Sequence, residues 1–242
     1  MEKALHLKGV SKAFGAVVVA DSLDLELEAG EALGVIGPNG AGKTSMFNLI
    51  TGTLKVDRGE ILHFGRPIAH LPVAARCRQG IARSFQIPKP FGDMSVYENV
   101  LTAAAFGGPC GERAASGRAL EVLELTGLAP KANARAGSLT LLERKRLELA
   151  RALATDPKVL LLDEIAGGLT ERECAALIAV IGDIRATGVS LIWIEHIVHA
   201  LLAVVDRLVV INFGVKIAEG DPHEVIRSPQ VAEIYMGIAA DA

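Results

Sequence analysis

Residues 37–45 read Gly37-Pro38-Asn39-Gly40-Ala41-Gly42-Lys43-Thr44-Ser45. The apolar run Ala32-Leu33-Gly34-Val35-Ile36 leads in, and a helical pattern, Met46-Phe47-Asn48-Leu49-Ile50, leads out. The stretch fits G-x-x-x-x-G-K-[ST], a loop that cradles phosphates between a strand and a helix. Gly37, Gly40 and Gly42 lack Cβ atoms, so the backbone can turn tightly against a polyphosphate. Its N–H groups and the following helix N-terminus then face the anion. Lys43 supplies a charge for the β- and γ-phosphates, and Thr44 a hydroxyl for Mg²⁺. A glycine-rich turn before an ordinary helix matches this pattern by chance in about one chain in a hundred of this length. The flanking strand and helix make a chance match rarer still.

The chain has 242 residues, enough for one large α/β domain or two small lobes. Its net charge of −3 is spread over mixed acidic and basic residues. No basic face for nucleic acid is evident. Hydrophobic residues make up 50% of the chain, yet no uncharged apolar run reaches membrane-spanning length. The longest candidate, Leu191 to Val205, is broken by Glu195, His196 and His199. Residues 1–6 carry no apolar signal core. Cys77, Cys110 and Cys174 are far apart and form no C-x-x-C pair, so reduced structural thiols are expected.

Upstream of the loop, Leu23, Leu25 and Leu27 alternate with Asp24, Glu26 and Glu28, as in a half-exposed strand. Phe14 is the one aromatic residue before residue 37. Such a ring can stack on a base or fill a turn, and the residues alone leave both open. Short strands on both sides of the loop predict a small antiparallel layer beside a parallel sheet. Ile81 to Gln86 reads as a buried strand with a polar residue at its C-terminal end, the edge where open parallel sheets bind ligands. Between Ile87 and Leu139 the texture becomes helical. Capping boxes at Ser95–Glu98, Thr140–Glu143 and Thr170–Glu173 each predict a helix start. Arg144, Lys145, Arg146 and Arg151 give the second of these helices a basic face, expected to be solvated.

Val159-Leu160-Leu161-Leu162-Asp163-Glu164 is an apolar strand ending in two carboxylates. Burying such a pair without purpose is costly. Beside a phosphate loop, Asp163 suits Mg²⁺ and Glu164 suits a water-polarising base. His196 lies just past the next buried strand, Ser190 to Glu195. It could donate to a phosphate, but a lone histidine here is more often a plain helix-start residue.

Taken together, GPNGAGKTS at 37–45, SFQ at 84–86, VLLLDE at 159–164 and IEH at 194–196 resemble, in their order, the nucleotide-binding subunits of ABC (ATP-binding cassette) transporters. The resemblance covers nearly the whole chain. It implies an α/β P-loop NTPase fold with a small antiparallel β layer and an inserted α-helical subdomain, as a single domain over 1–242. The core would span 1–86 and 151–220, the helical subdomain with its signature loop 87–150, and a helical tail 221–242. It implies ATP and Mg²⁺ as ligands. Phe14 would stack on adenine, and Pro38, Asn39, Ala41 and Ser45 would line the phosphates with the glycines. Gln86 would join Thr44 and Asp163 at Mg²⁺. Glu164, His196, Gln86 and Lys43 would form the catalytic set.

ARSFQIPKPFGDMSVYENV, LERKRLELARALATDPKVLLLDE and AEGDPHEVIRSPQVAEIYMG look most like the ATP-binding subunits of branched-chain amino acid importers. Lipopolysaccharide-export ATPases share a similar short tail and are the alternative, with non-transport ABC ATPases behind them. The resemblance also implies membrane permease subunits docking near Ile87–Ala105, an external solute-binding protein, and a place on the cytoplasmic face of the inner membrane. The family's LSGGQ signature appears here as Leu139-Thr140-Leu141-Leu142-Glu143. Thr140 keeps a hydroxyl for the opposite subunit's nucleotide, whereas Leu141, Leu142 and Glu143 add bulk and charge where glycines allow close approach. Ile165 stands where proline usually follows the catalytic glutamate. This altered loop beside intact phosphate motifs predicts a heterodimer with a second ABC ATPase.

Overall fold

The computed structural model describes residues 2–108 and 112–236, so Cys110 lies outside the described residues. Two long strands, β1 (Lys3–Phe14) and β2 (Val17–Glu28), form a hairpin and lead into β3 (Ala32–Ile36) and helix α1 (Lys43–Thr51). Next come β4 (Arg58–His63), β5 (Arg66–Pro67), α2 (Val73–Arg78) and β6 (Ile81–Ser84). Helices α3 (Val96–Gly107), α4 (Glu112–Leu125) and α5 (Leu141–Ala154) follow and pack on one another. The chain then continues through β7 (Val159–Asp163), α6 (Glu171–Ala186), β8 (Ser190–Ile194) and α7 (Val198–Leu202). It closes with β9 (Arg207–Asn212), β10 (Val215–Gly220), α8 (Pro222–Arg227) and α9 (Pro229–Met236).

The strands form two sheets. One is antiparallel, in the order β2-β1-β4-β5; the other runs β10-β9-β3-β8-β7-β6. In the second sheet only β10 pairs antiparallel, and β9, β3, β8, β7 and β6 are parallel neighbours. This is the expected antiparallel layer beside a parallel sheet.

Alternation explains why β3, β7, β8 and β9 read as unbroken apolar runs. Successive side chains enter opposite faces of the sheet, and both faces are covered. Ala32, Leu160, Leu162, Leu191 and Trp193 join the core under the helices. Leu33, Val35, Leu161, Ile192 and Ile194 join the core shared with α1 and the antiparallel layer.

The three predicted capping boxes form, with Ser95, Thr140 and Thr170 as N-caps of α3, α5 and α6. Asp221 caps α8, with Pro222 at its first position. Helix α1 starts at Lys43, earlier than its apolar pattern, because the phosphate loop itself provides its first turn. Helix α2 has no polar cap and is six residues long, and its sequence gave no helix signal.

The basic face of α5 departs from expectation. Arg144 is exposed, but Lys145 is buried and Arg146 and Arg151 are half-buried. All four donate to backbone carbonyls: Arg144 to Gly137, Lys145 to Gln86, Arg146 to Ala176 and Arg151 to Lys89. They tie α5 to the segments at Gln86, Lys89 and Gly137 and to helix α6, because α5 is the central helix of its layer, flanked by α3, α4 and α6.

Candidate active site

Parallel strands point their C-terminal ends to one edge, where ligands bind in open α/β sheets. Here the register aligns four such ends. Ser84 pairs with Leu162, Asp163 with Ile194, and Val35 with Ile194. The residues that follow β3, β6, β7 and β8 therefore converge: Gly37 and its loop, Gln86, Glu164 and His196.

The loop is held from behind by its neighbours. A Cβ on Gly42, whose φ is +101°, would lie 2.3 Å from the Val19 carbonyl oxygen. One on Gly37 would lie 2.1 Å from that of Ile211. The loop thus packs against β2 and β9 too closely for any side chain, leaving its outer side for a ligand. On that side Asn39, Gly40 and Thr44 are exposed, and Pro38 and Ser45 half-buried, while Ala41 is buried beneath. Lys43 folds back, its Nζ donating to the carbonyls of Gly37 (2.6 Å) and Pro38 (2.9 Å). Burial lowers the pKa of this lysine, and the charges of Glu164 and Asp163 oppose that shift.

The paired carboxylates are held by different partners. Asp163 is buried, and its Oδ2 accepts from Arg83 Nη2 at 2.5 Å. Arg83 also donates to Asn48 Oδ1 (2.6 Å) and lies over the rings of Phe47 and Phe85. Glu164 adopts a left-handed backbone with φ of +45°, a conformation that persists where surroundings over-determine it. Its N–H donates to Ile194. Its Oε2 accepts from the Gln86 amide (2.7 Å), and its Oε1 lies 2.8 Å from His196 Nε2. Each carboxylate oxygen has a second lone pair, so Glu164 can still accept a proton from water.

Thr44, Gln86 and Asp163 line one cleft of about 400 Å³. A hydroxyl, an amide and a single carboxylate are hard oxygen donors, the set that holds Mg²⁺ together with substrate phosphates. Phe14 is half-exposed and pairs with Val17, two residues before the Val19 carbonyl that abuts Gly42. The Lys12 Nζ lies 5.2 Å from the centroid of its ring. Thr140, by contrast, caps α5 away from this constellation, and the Leu141 beside it packs near Gly168.

The sequence pattern assigns no role to Arg83, Glu148 and Glu195, and places Lys145 on a face expected to be solvated. Glu195 is buried, and its carboxylate accepts from the Ala166 N–H (2.8 Å) and the His196 N–H (3.0 Å), tying the loop after Glu164 to the histidine. Burial pushes its pKa up. A charge inside an apolar strand, as at Arg83, is the signal that marks such a residue, because a buried charge needs a partner.

Comparison with known proteins agrees with this architecture. Residues 20–167 match the family model described as ABC transporter. The chain is 36% identical, over 97% of its length and 98% of the relative's, to the high-affinity branched-chain amino acid transport ATP-binding protein LivG of Salmonella typhimurium. It is 33% identical, over 96% of its length and 97% of the relative's, to the lipopolysaccharide export system ATP-binding protein LptB of Escherichia coli strain K12. A nucleotide-free ATP-binding cassette from an ABC transporter superposes with a TM-score of 0.89 at 30% identity, covering 98% of this chain and 100% of that one. With its phosphate loop, carboxylate pair and histidine gathered at one sheet edge, the chain belongs to the ABC transporter family.

Proposed function

We propose that the chain is the ATP-hydrolysing subunit of an importer for branched-chain or similar small amino acids. The observation that carries the hydrolytic part is the grip of Gln86 and His196 on Glu164, beside Lys43 and Asp163. The greater identity to LivG than to LptB supports import of amino acids over lipopolysaccharide export.

In this reading the loop N–H groups and Lys43 bind the phosphates, with Lys43 exchanging its two carbonyls for phosphate oxygens. Phe14 stacks on the adenine. Thr44, Gln86 and Asp163 would hold Mg²⁺, whose charge would neutralise that of the phosphates. Glu164 takes the proton of the attacking water, and His196 fixes the carboxylate and faces the γ-phosphate.

The helices between residues 87 and 150 form the subdomain that meets the membrane subunits. Ile87, Phe91 and Phe106 are exposed there, and Phe85 just before it, apolar side chains suited to a permease segment. No helix among the described residues is long and apolar enough to cross a membrane. Attachment to the cytoplasmic face of the inner membrane would then come through permeases. The test is reconstitution with those permeases and an external solute-binding protein. ATP turnover is expected to rise several-fold with a branched-chain amino acid and not with lipopolysaccharide; the opposite pattern would sink the importer reading.

The partner cassette is a different chain in this proposal. Leu141 and Leu142 crowd the Thr140 loop. Glu143 covers the Thr140 N–H (2.9 Å) and pairs with Lys131 (2.9 Å). The Thr140 N–H first, then Lys131, hold its carboxyl below the usual range, so it remains charged where a partner's phosphate would approach. The site on this chain's Lys43 loop, completed by a partner with an intact signature, would be the fast one. Lys43→Ala here is expected to abolish most turnover, and the matching change in the partner to cost far less; equal losses would argue for equivalent sites.

A further inference from the structure

Lysine is among the residues least often fully buried. Lys145, five residues along from Thr140 on α5, is 3% exposed. Its Nζ donates to the Gln86 carbonyl at 2.9 Å and reaches the Glu164 carbonyl at 3.5 Å. These are the two residues whose side chains bond each other at 2.7 Å. Backbone and side chain of Gln86 and Glu164 thus close a ring through one ammonium group. The left-handed backbone of Glu164 depends on such anchors: Ile194 takes its N–H, and Lys145 holds its carbonyl.

The same face of α5 grips the rest of the turn after β6. Glu148 is buried, faced by the N–H groups of Lys89 and Phe85, and paired with Arg151 at 3.1 Å. Arg151 donates to the Lys89 carbonyl at 3.0 Å. Glu148 and Arg151 hold the turn alone, whereas Lys145 also reaches the loop that carries Glu164.

We propose that Lys145 is a positioning residue for hydrolysis, its ammonium coupling the Thr140 end of α5 to the Gln86–Glu164 contact. A displacement of α5, such as nucleotide held by a partner would produce at Thr140, then changes how Glu164 is presented to water in this chain's own site. This rests on Glu164 being the base and on Thr140 facing the partner's nucleotide.

The test uses the complex isolated with its membrane subunits and partner cassette, carrying Lys145→Met, Lys145→Gln or Lys145→Arg. Lys145→Met is expected to lower kcat at least tenfold with KM for ATP within twofold. Lys145→Arg, which keeps charge and several donors, is expected to return kcat to within threefold of the parent, with Lys145→Gln between the two. Parental kcat in Lys145→Met, or losses of kcat and thermal midpoint that run together in all three variants, would overturn the proposal. Should Lys145→Met fail to assemble, the other two decide: equal kcat in Gln and Arg variants overturns it. No turnover in the parent complex would overturn the hydrolysis reading and this proposal with it, whereas parental turnover unchanged by Lys145→Met overturns this proposal alone.

Discussion

Glu164→Gln is expected to lower ATP turnover by about 10²- to 10⁴-fold, the range for losing a positioned general base. The substitution keeps size, and its amide oxygen can still accept from either Gln86 or His196, so one of the bonds at 2.7 and 2.8 Å is kept in kind while the other partner must accept from the new NH₂ instead. What disappears is the ability to take a proton from water. Nucleotide binding depends on the loop at 37–45 and on Lys43, none of which contacts the Glu164 side chain through a hydrogen bond. ATP affinity is therefore expected to stay within a few-fold or to rise, since the removed charge no longer repels phosphate. Single-turnover phosphate release and equilibrium binding of a fluorescent ATP analogue separate the two effects. A turnover within tenfold of the parent would show that proton removal lies elsewhere.

Arg76→Met is expected to lower stability by about 3–5 kcal/mol, since several buried carbonyls lose their donor at about 1–3 kcal/mol each. Arg76 is 3% exposed. Its guanidinium donates to the carbonyls of Leu49 (2.7 Å) and Ile50 (2.8 Å), near the C-terminal end of α1, and to those of Leu71 and Ala69. A cation there also complements the negative end of the helix that begins at Lys43. Methionine fills part of the volume but removes the donor from the carbonyls of Ile50, Leu71 and Ala69, and leaves that of Leu49 with the Gly52 N–H at 3.3 Å. At about 2–4 °C per kcal/mol for a domain of this size, the thermal midpoint is expected to fall by roughly 10 °C. Differential scanning calorimetry of the nucleotide-free chain measures it. A shift under 2 °C would mean that water or backbone movement satisfies those carbonyls.

The contrast between these two residues explains what was legible in the sequence. Asp163 and Glu164 stood out because an apolar strand cannot end in two carboxylates without purpose, and the neighbouring phosphate loop supplied that purpose. Gln86 is a candidate from its place at a strand end, and His196 gains a role only through the family resemblance; the register aligns the strand ends that precede both. The capping boxes are local, three residues apart, and all three formed. Arg76 and Lys145 were not legible. A cation on a helix looks the same whether it faces water or a carbonyl. Here the carbonyls belong to Leu49, 27 positions away from Arg76, and to Gln86, 59 positions away from Lys145. Helix α2, which carries Arg76, is held by that network rather than by a cap or periodicity of its own. Pattern reading sees side-chain types and spacing; tertiary bonds to backbone carbonyls leave no trace in either.

The placement of Trp193, the one tryptophan in the chain, gives the molecule its own optical gauge. Its strand, β8, lies between β3, which feeds the phosphate loop, and β7, which delivers the carboxylates. The indole is buried 1% exposed, with no hydrogen-bond partner on its Nε1 among the described residues, three positions before His196. Emission from that single indole, excited apart from the two tyrosines, comes from the seam between nucleotide capture and hydrolysis, so rapid-mixing fluorimetry can time the two events in the unlabelled protein.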